Sequence, residues 1–138
     1  MAYQSIIEIP TRGRGTLEIT AEVARIAAAS GIATGVAHVF VQHTSCSLLI
    51  TENADPSVRR DLETLAQRWA PDGDPAYRHD DEGDDDMAAH ARSVLTGSSV
   101  SVPVGDGRLL LGTWQQVVVV DFDTHSRARE VVVQFMGE

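Results

Sequence analysis

Five histidines and one cysteine are the residues of this 138-residue chain with the widest chemical reach. His43 ends the apolar run GVAHVFVQ and opens His43-Thr44-Ser45-Cys46-Ser47. An imidazole there can ligate a metal or move a proton. Thr44, Ser45 and local N–H groups can hold an anion beside it. The plain alternative is a histidine hydrogen-bonded in a turn. His79 and His90 flank an acidic cluster, Tyr77-Arg78-His79-Asp80-Asp81-Glu82-Gly83 and then Asp86-Met87-Ala88-Ala89-His90. A helix starting near Gly83 puts Asp86 and His90 at i and i+4 on one face. A carboxylate so placed can orient the imidazole or share a divalent ion with it. Sets of histidine and carboxylate suit zinc or another divalent transition metal. The spacing is neither His-Glu-x-x-His nor an EF-hand, since Gly83 at the sixth loop position puts Arg78 at the first. The plain alternative is a solvated acidic loop capping the following helix.

The remaining polar candidates are thinner. His38 sits inside a buried-looking strand and is expected to satisfy a core partner. His125 lies in Asp123-Thr124-His125-Ser126-Arg127-Ala128-Arg129. Arg127 and Arg129 alternate on one strand face, so both can reach one anion, or they balance an acidic surface. Leu111-Gly112-Thr113-Trp114-Gln115 links two strands. Gly112 there allows close backbone approach, with Thr113 and Trp114 beside it, or the segment is a bulge with Trp114 in the core. Cys46 reads as a small buried hydrophobe rather than a nucleophile. Gly13-Arg14-Gly15 is no dinucleotide fingerprint, because Glu18 stands where the third glycine belongs.

Charge narrows the function classes. All eleven basic residues are arginine, against twenty acids, for a formal net charge of -9. The absence of lysine excludes a Schiff-base lysine and a P-loop lysine. Eight acids between Asp72 and Asp86, against Arg78 alone, carry most of that charge. Nucleic acid is not an expected partner, since its recognition rests on a basic surface. One cysteine fits a reducing cytosol. The start MAYQSIIEIP lacks the features of a signal peptide, and no apolar run spans a membrane. The expected setting is cytoplasmic.

The elements that must position these residues follow from pattern. Strands are predicted at Tyr3–Ile9, Thr16–Ile19, Gly35–Gln42 and Ser47–Thr51. Four more come from SSVSVPV, RLLLG, QQVVVVDF and REVVVQFM in the last third. Thr20 is expected to cap a helix running through Ala29, with Gly31 at its stop. Pro56 opens PSVRRDLETLAQRW, whose Val58, Leu62, Leu65 and Trp69 keep helical spacing. Met87–Leu95 reads as a short helix closed by Gly97. The prediction is one α+β domain over 1–138, mostly antiparallel through short hairpins such as Gly105–Gly107. Runs such as Val117–Val120 call for a covered sheet, which contact between subunits can supply.

Taken in order, His43-Thr44-Ser45-Cys46-Ser47, Glu52-Asn53, Tyr77-Arg78-His79-Asp80, Asp86-Met87-Ala88-Ala89-His90, Gly97, Val102-Pro103, Gly107 and Leu111-Gly112-Thr113-Trp114-Gln115 closely resemble the YjbQ-like family of small bacterial and archaeal proteins. The resemblance spans essentially the whole chain. It implies a compact α+β fold, a homotrimer, and a pocket lined by His43, His79 and His90 with a candidate metal or phosphate site. It also implies thiamine-phosphate synthase as a secondary activity. That transferase joins a pyrimidine diphosphate to a thiazole phosphate and releases pyrophosphate.

On this reading His43, His79 and His90, with Asp81 or Asp86, hold a divalent ion such as zinc or magnesium. Thr44, Ser45, Asn53, Gly112, Thr113, Trp114, Arg127 and Arg129 bind the phosphorylated small-molecule substrate. Two alternatives use the same residues. One is a metal-dependent hydrolase or phosphotransferase on another phosphorylated metabolite. The other is a non-catalytic trimer that binds a metal or small molecule.

Overall fold

Alternating apolar residues let each strand bury one face, and the long Val-rich strands bury two. The computed structural model describes residues 1–138 and folds them into eight strands and three helices. The strands are β1 (Ala2–Pro10), β2 (Gly15–Glu18), β3 (Gly35–Val41), β4 (Cys46–Thr51), β5 (Ser99–Gly105), β6 (Arg108–Leu109), β7 (Gln116–Asp121) and β8 (Ala128–Gly137). They form a five-stranded sheet in the order β1-β8-β3-β5-β6 and a three-stranded sheet in the order β2-β7-β4. Every pairing is antiparallel. The α+β prediction therefore holds, with the last β segment before the 110–115 loop cut to two residues.

The core lies between the two sheets. Ala37, Val39, Val41, Val131, Val133 and Phe135 of the large sheet meet Cys46, Leu48, Val117 and Val119 of the small one. Helix α1 (Thr20–Ser30) adds Val23, Ile26 and Ala27 to this cluster. Its end is set by Gly31, whose φ of 73° is the left-handed turn that glycine adopts without steric cost. Thr20 does not cap the helix as predicted. Ile19 occupies that position, and the Thr20 hydroxyl instead accepts from the Val117 N–H of β7 at 2.8 Å.

Helices α2 (Pro56–Trp69) and α3 (Asp86–Thr96) cover the other face of the small sheet. Asp55 caps α2 by accepting from the Ser57 N–H, ahead of Pro56 in the first turn. Ser93 and Thr96 fasten α3 to β4 through the Cys46 carbonyl and the Ser47 hydroxyl. With both faces covered, Val117, Val118 and Val119 are fully buried within one chain. The cover that run requires is supplied here by the chain's own large sheet and helices. What stays uncovered is the outer face of the large sheet, where Ile6, Val36, Phe40 and Met136 are exposed. His38 also lies on that face, not in the core as predicted, and its Nδ1 pairs with the Ser101 hydroxyl at 2.9 Å.

Candidate functional site

Asp86 opens α3, and His90 follows one turn later on the same face. Their spacing brings His90 Nε2 to 3.1 Å from Asp86 Oδ2. The long loop before α3 carries His79 to the same oxygen, with Nε2 at 2.8 Å. The two imidazole rings stand 5.5 Å apart between centres. One ligand atom from each of His79, Asp86 and His90 thus lies within 4.8 Å of the others. His90 is fixed from behind by the Thr44 carbonyl, 3.0 Å from Nδ1. A carbonyl only accepts, so Nδ1 carries the proton and Nε2 faces Asp86.

The loop that delivers His79 is tied at its base. The Gly73 N–H donates to the Asp84 carbonyl at 2.9 Å, closing residues 73–84 into a compact excursion. Gly83, at φ 105°, makes the sharp entry to α3 that a side chain would strain. The acids of this segment divide by task. Asp72 takes a bidentate bond from Arg14, which holds its carboxyl below the usual range. Asp85 accepts from the Thr124 hydroxyl, with the same effect on its titration. Asp86 raises the His79 imidazole above its ordinary value, mainly through their hydrogen bond. Asp80, Asp81 and Glu82 remain exposed.

The turn from β7 into β8 forms the second wall. Asp121 is fully buried against Arg129, with Nη2 to Oδ1 at 2.8 Å and Nε to Oδ2 at 3.0 Å. Arg129 also donates to the Ser45 hydroxyl at 2.9 Å, which ties β8 to the His43–Cys46 turn. Asp123 receives the His125 N–H and the Arg127 Nε. Burial pushes the Asp123 carboxyl up, but these donors outweigh it and leave it at about 2. His43 turns toward the same strand, and its Nε2 accepts the Glu130 N–H at 2.8 Å. Burial, and then the Arg129 charge, lower its pKa, so it is neutral at pH 7. Burial pushes the Cys46 thiol up to about 11, so it is no nucleophile.

The structure therefore brings together only part of the predicted set. His79, Asp86 and His90 converge, with Thr44 supporting His90. His43 does not join them as a third imidazole, because its Nε2 is occupied by backbone. Asp81 lies outside the group, as an exposed loop carboxylate. Arg127 and Arg129 do not share a strand face. Arg127 precedes β8 and is half-exposed, whereas Arg129 is buried and neutralised by Asp121. Arg129 is thus a brace and not an anion ligand, and Ser45 is its partner. Asn53 is bound by Arg59 and reaches Glu18 near the far end of β7. Gly112, Thr113 and Trp114 lie at that far end too, ahead of Gln116, with Trp114 exposed rather than in the core. Five residue steps along β7 separate Gln116, which follows them, from Asp121, about 17 Å at strand rise.

Asp85, Asp121 and Thr124 were missed as members of the site. A signal was present: Asp121, Asp123, His125, Arg127 and Arg129 place acid, acid, imidazole and two guanidiniums at every second residue. Asp85, Asp123 and His125 form a second compact group beside the first.

Known proteins share this arrangement of chain. A family model described as UPF0047 protein YjbQ-like matches residues 5–138. UPF0047 protein sll1880 of Synechocystis is 43% identical over 136 residues, covering 99% of this chain and 92% of that one. UPF0047 protein YjbQ of Salmonella typhimurium is 39% identical over 139 residues, covering all of both. The crystal structure of the conserved hypothetical protein TT1486 from Thermus thermophilus superposes with a TM-score of 0.85 at 39% identity, covering 96% of this chain and 99% of that one. A YbjQ-like protein of unknown function from Sulfolobus solfataricus has the same fold, with a TM-score of 0.88 over the whole of both chains at 24% identity. The chain belongs to the UPF0047 YjbQ-like family.

Proposed function

We propose that the chain holds a divalent metal ion through His79, Asp86 and His90 and acts on a phosphorylated small molecule beside it. The observation that carries this reading is the meeting of His90 and Asp86. With the Nδ1–H donated to the Thr44 carbonyl, the tautomer that hydrogen bond selects turns the Nε2 lone pair of His90 toward a carboxylate oxygen that has only lone pairs. A cation, or a second proton on the ring, relieves that conflict. Two imidazoles and a carboxylate match the donor set of zinc and other divalent transition metals. Such an ion, when bound, supplies charge neutralisation to phosphate oxygens.

The chain's own residues do the rest. The Thr44 carbonyl orients His90. Asp123 holds the Arg127 guanidinium by Nε, leaving both Nη groups for phosphate oxygens. His43, neutral and fixed by the Glu130 N–H, offers an Nδ1 proton as donor.

Within this class, the family resemblance favours thiamine-phosphate synthesis as a secondary activity. The thiazole nitrogen forms a bond to the pyrimidine methylene as its bond to the diphosphate oxygen breaks, and pyrophosphate leaves with the electron pair. A homotrimer is part of the same proposal, supported by the exposed apolar residues on the outer face of the large sheet. A cytoplasmic setting is supported by the single buried cysteine, and no helix is long and apolar enough to cross a membrane.

Calorimetric titration of chelator-treated protein with zinc, and separately with magnesium, tests the metal. One ion per chain is expected, bound at least about tenfold more weakly by Asp86→Asn and His90→Ala. Binding unchanged in both variants sinks the site. Product assays with the pyrimidine diphosphate and thiazole phosphate then test the reaction. No product above the His90→Ala background rejects the synthase. Phosphate release from a panel of phosphorylated metabolites would point to hydrolysis instead.

A further inference from the structure

Helix α2 stands off from the sheet it covers. Val58, Leu62, Leu65 and Trp69 keep helical spacing, yet only Ala66 of its fourteen residues is buried. A cavity of about 480 Å³ lies between the helix and the small sheet. Leu49, Val120 and Phe122 form one wall, and Leu62, Ala66 and Trp69 the other. Its size falls in the range of small-molecule pockets, about 300–1,000 Å³. None of its lining residues belongs to the His79–Asp86–His90 group.

The charge of this cavity runs against that of the protein. Arg14, Arg59 and Arg60 line it. Arg14 is paired with Asp72. Arg59 donates only to the oxygens of Asn53, which carry no net charge. The Arg60 guanidinium has neither hydrogen bond nor ion pair. Behind the wall, Arg92 is 1% exposed and reaches Glu63 at 3.4 Å. Its Nη2 has no partner at all. The lining itself holds three guanidiniums against one carboxylate, Glu63, in a chain whose net charge is -9, with Asp72 on Arg14 and Asp55 in the field of Arg59 just outside it. An apolar space beside a local positive excess is complementary to an apolar anion.

We infer that this cavity binds a small amphipathic anion, with a flat apolar body between Trp69, Leu62 and the sheet and one acidic group at Arg60 and Arg59. The body replaces the packing that α2 lacks. The acidic group supplies the ion-pair partner that neither Arg59 nor Arg60 has. This site is independent of the proposed metal centre.

Fluorescence titration with anilinonaphthalene sulfonate, which has this chemistry, tests the inference on the full chain. N-phenyl-1-naphthylamine, the same body without the sulfonate, is the second probe. One sulfonate probe is expected per chain. Arg60→Ala should weaken it about tenfold, the scale of a lost charge-assisted bond, and leave the neutral probe unchanged. Ala66→Phe and Thr16→Phe fill the space from opposite walls and should abolish binding of both probes. If one of these fails to fold, the other gives the result.

Absence of probe binding overturns the inference. So does binding untouched by the filling variants, which places the probe elsewhere. An equal response of both probes to Arg60→Ala removes the anionic half of the claim and overturns it as stated. A fall in light-scattering mass on Ala66→Phe, with probe binding unchanged, would make the cavity a subunit contact instead. Zinc titration of the same variants should be unaltered, so this inference and the metal proposal fail separately.

Discussion

Replacing Arg129 with alanine separates two roles that look alike in the sequence. Its guanidinium makes a two-point bond to Asp121, at 2.8 and 3.0 Å, and a third bond to Ser45 at 2.9 Å. The side chains are 3% and 0% exposed, so water cannot replace the lost partner. Arg129→Ala strands a buried carboxylate, and breaking such a pair costs about 3–5 kcal/mol. Unfolding entropy of about 2.1 cal/mol/K per residue gives about 0.29 kcal/mol/K for a chain of this length. The expected fall in Tm is therefore about 10–17 °C. Thermal unfolding followed by circular dichroism reads it, with protein concentration held fixed because assembly couples to Tm.

Asp121→Asn should cost a comparable amount, since it leaves Arg129 charged and buried. The double variant Arg129→Met with Asp121→Leu should recover much of the loss, because no unpaired charge remains. A phosphate-binding arginine would behave oppositely. It would repel its neighbours when empty, and its removal would weaken phosphate binding while leaving Tm within about 2 °C, the scale of a surface substitution. That pattern in Arg129→Ala would refute the brace reading and restore the anion-ligand role.

Two further predictions concern titration and access. Asp123 is held at about 2 in the folded chain, below its unfolded value, so its contribution is present above about 4 and is lost as pH falls toward 2. Arg127→Ala should lower the urea midpoint at pH 7 by an amount worth about 1 kcal/mol or less, given the half-exposed guanidinium, and the difference should shrink as pH falls from about 4 through about 2; a difference as large at pH 2 as at pH 7 excludes the charge as its cause. Cys46, fully buried with its thiol at about 11, should resist iodoacetamide at pH 8 until the chain is unfolded in urea. Rapid labelling of folded protein would contradict its place in the core.

Most of the fold was legible in the sequence because local signals agree with tertiary ones. Pro56 and Trp69 bound α2 as predicted, and Gly31 and Gly97 stop the other helices. The spacing of Asp86 and His90 already placed them on one face, and they touch. What spacing could not convey is direction. His38 reads as buried because its neighbours are, but a strand alternates, and it falls on the outward face. Arg127 and Arg129 share a parity, but β8 begins between them, so only Arg129 turns inward. Thr20 is a good capping residue, yet the Val117 N–H competes for its hydroxyl and wins. His43 is predicted near His79 and His90, but the Glu130 backbone, distant in sequence, takes its Nε2.

The acidic segment shows why charge alone is a poor guide to role. Asp85 and Asp86 are adjacent, yet the helix start sends one to Thr124 and the other to the two imidazoles. With Asp72 on Arg14, the segment is pinned at three points, and only the acids between them are free to stay solvated. His79 owes its position to those pins, since it lies on the loop they close. The other predicted substrate residues, Asn53 and Gly112–Trp114, lie at the far end of the small sheet, about 17 Å along β7. A substrate shorter than that gap can meet both groups only if a neighbouring subunit brings its far end to this chain's histidines. If the protein is monomeric in solution, the two groups are separate sites, and a role for Trp114 in chemistry at His90 falls with the assembly.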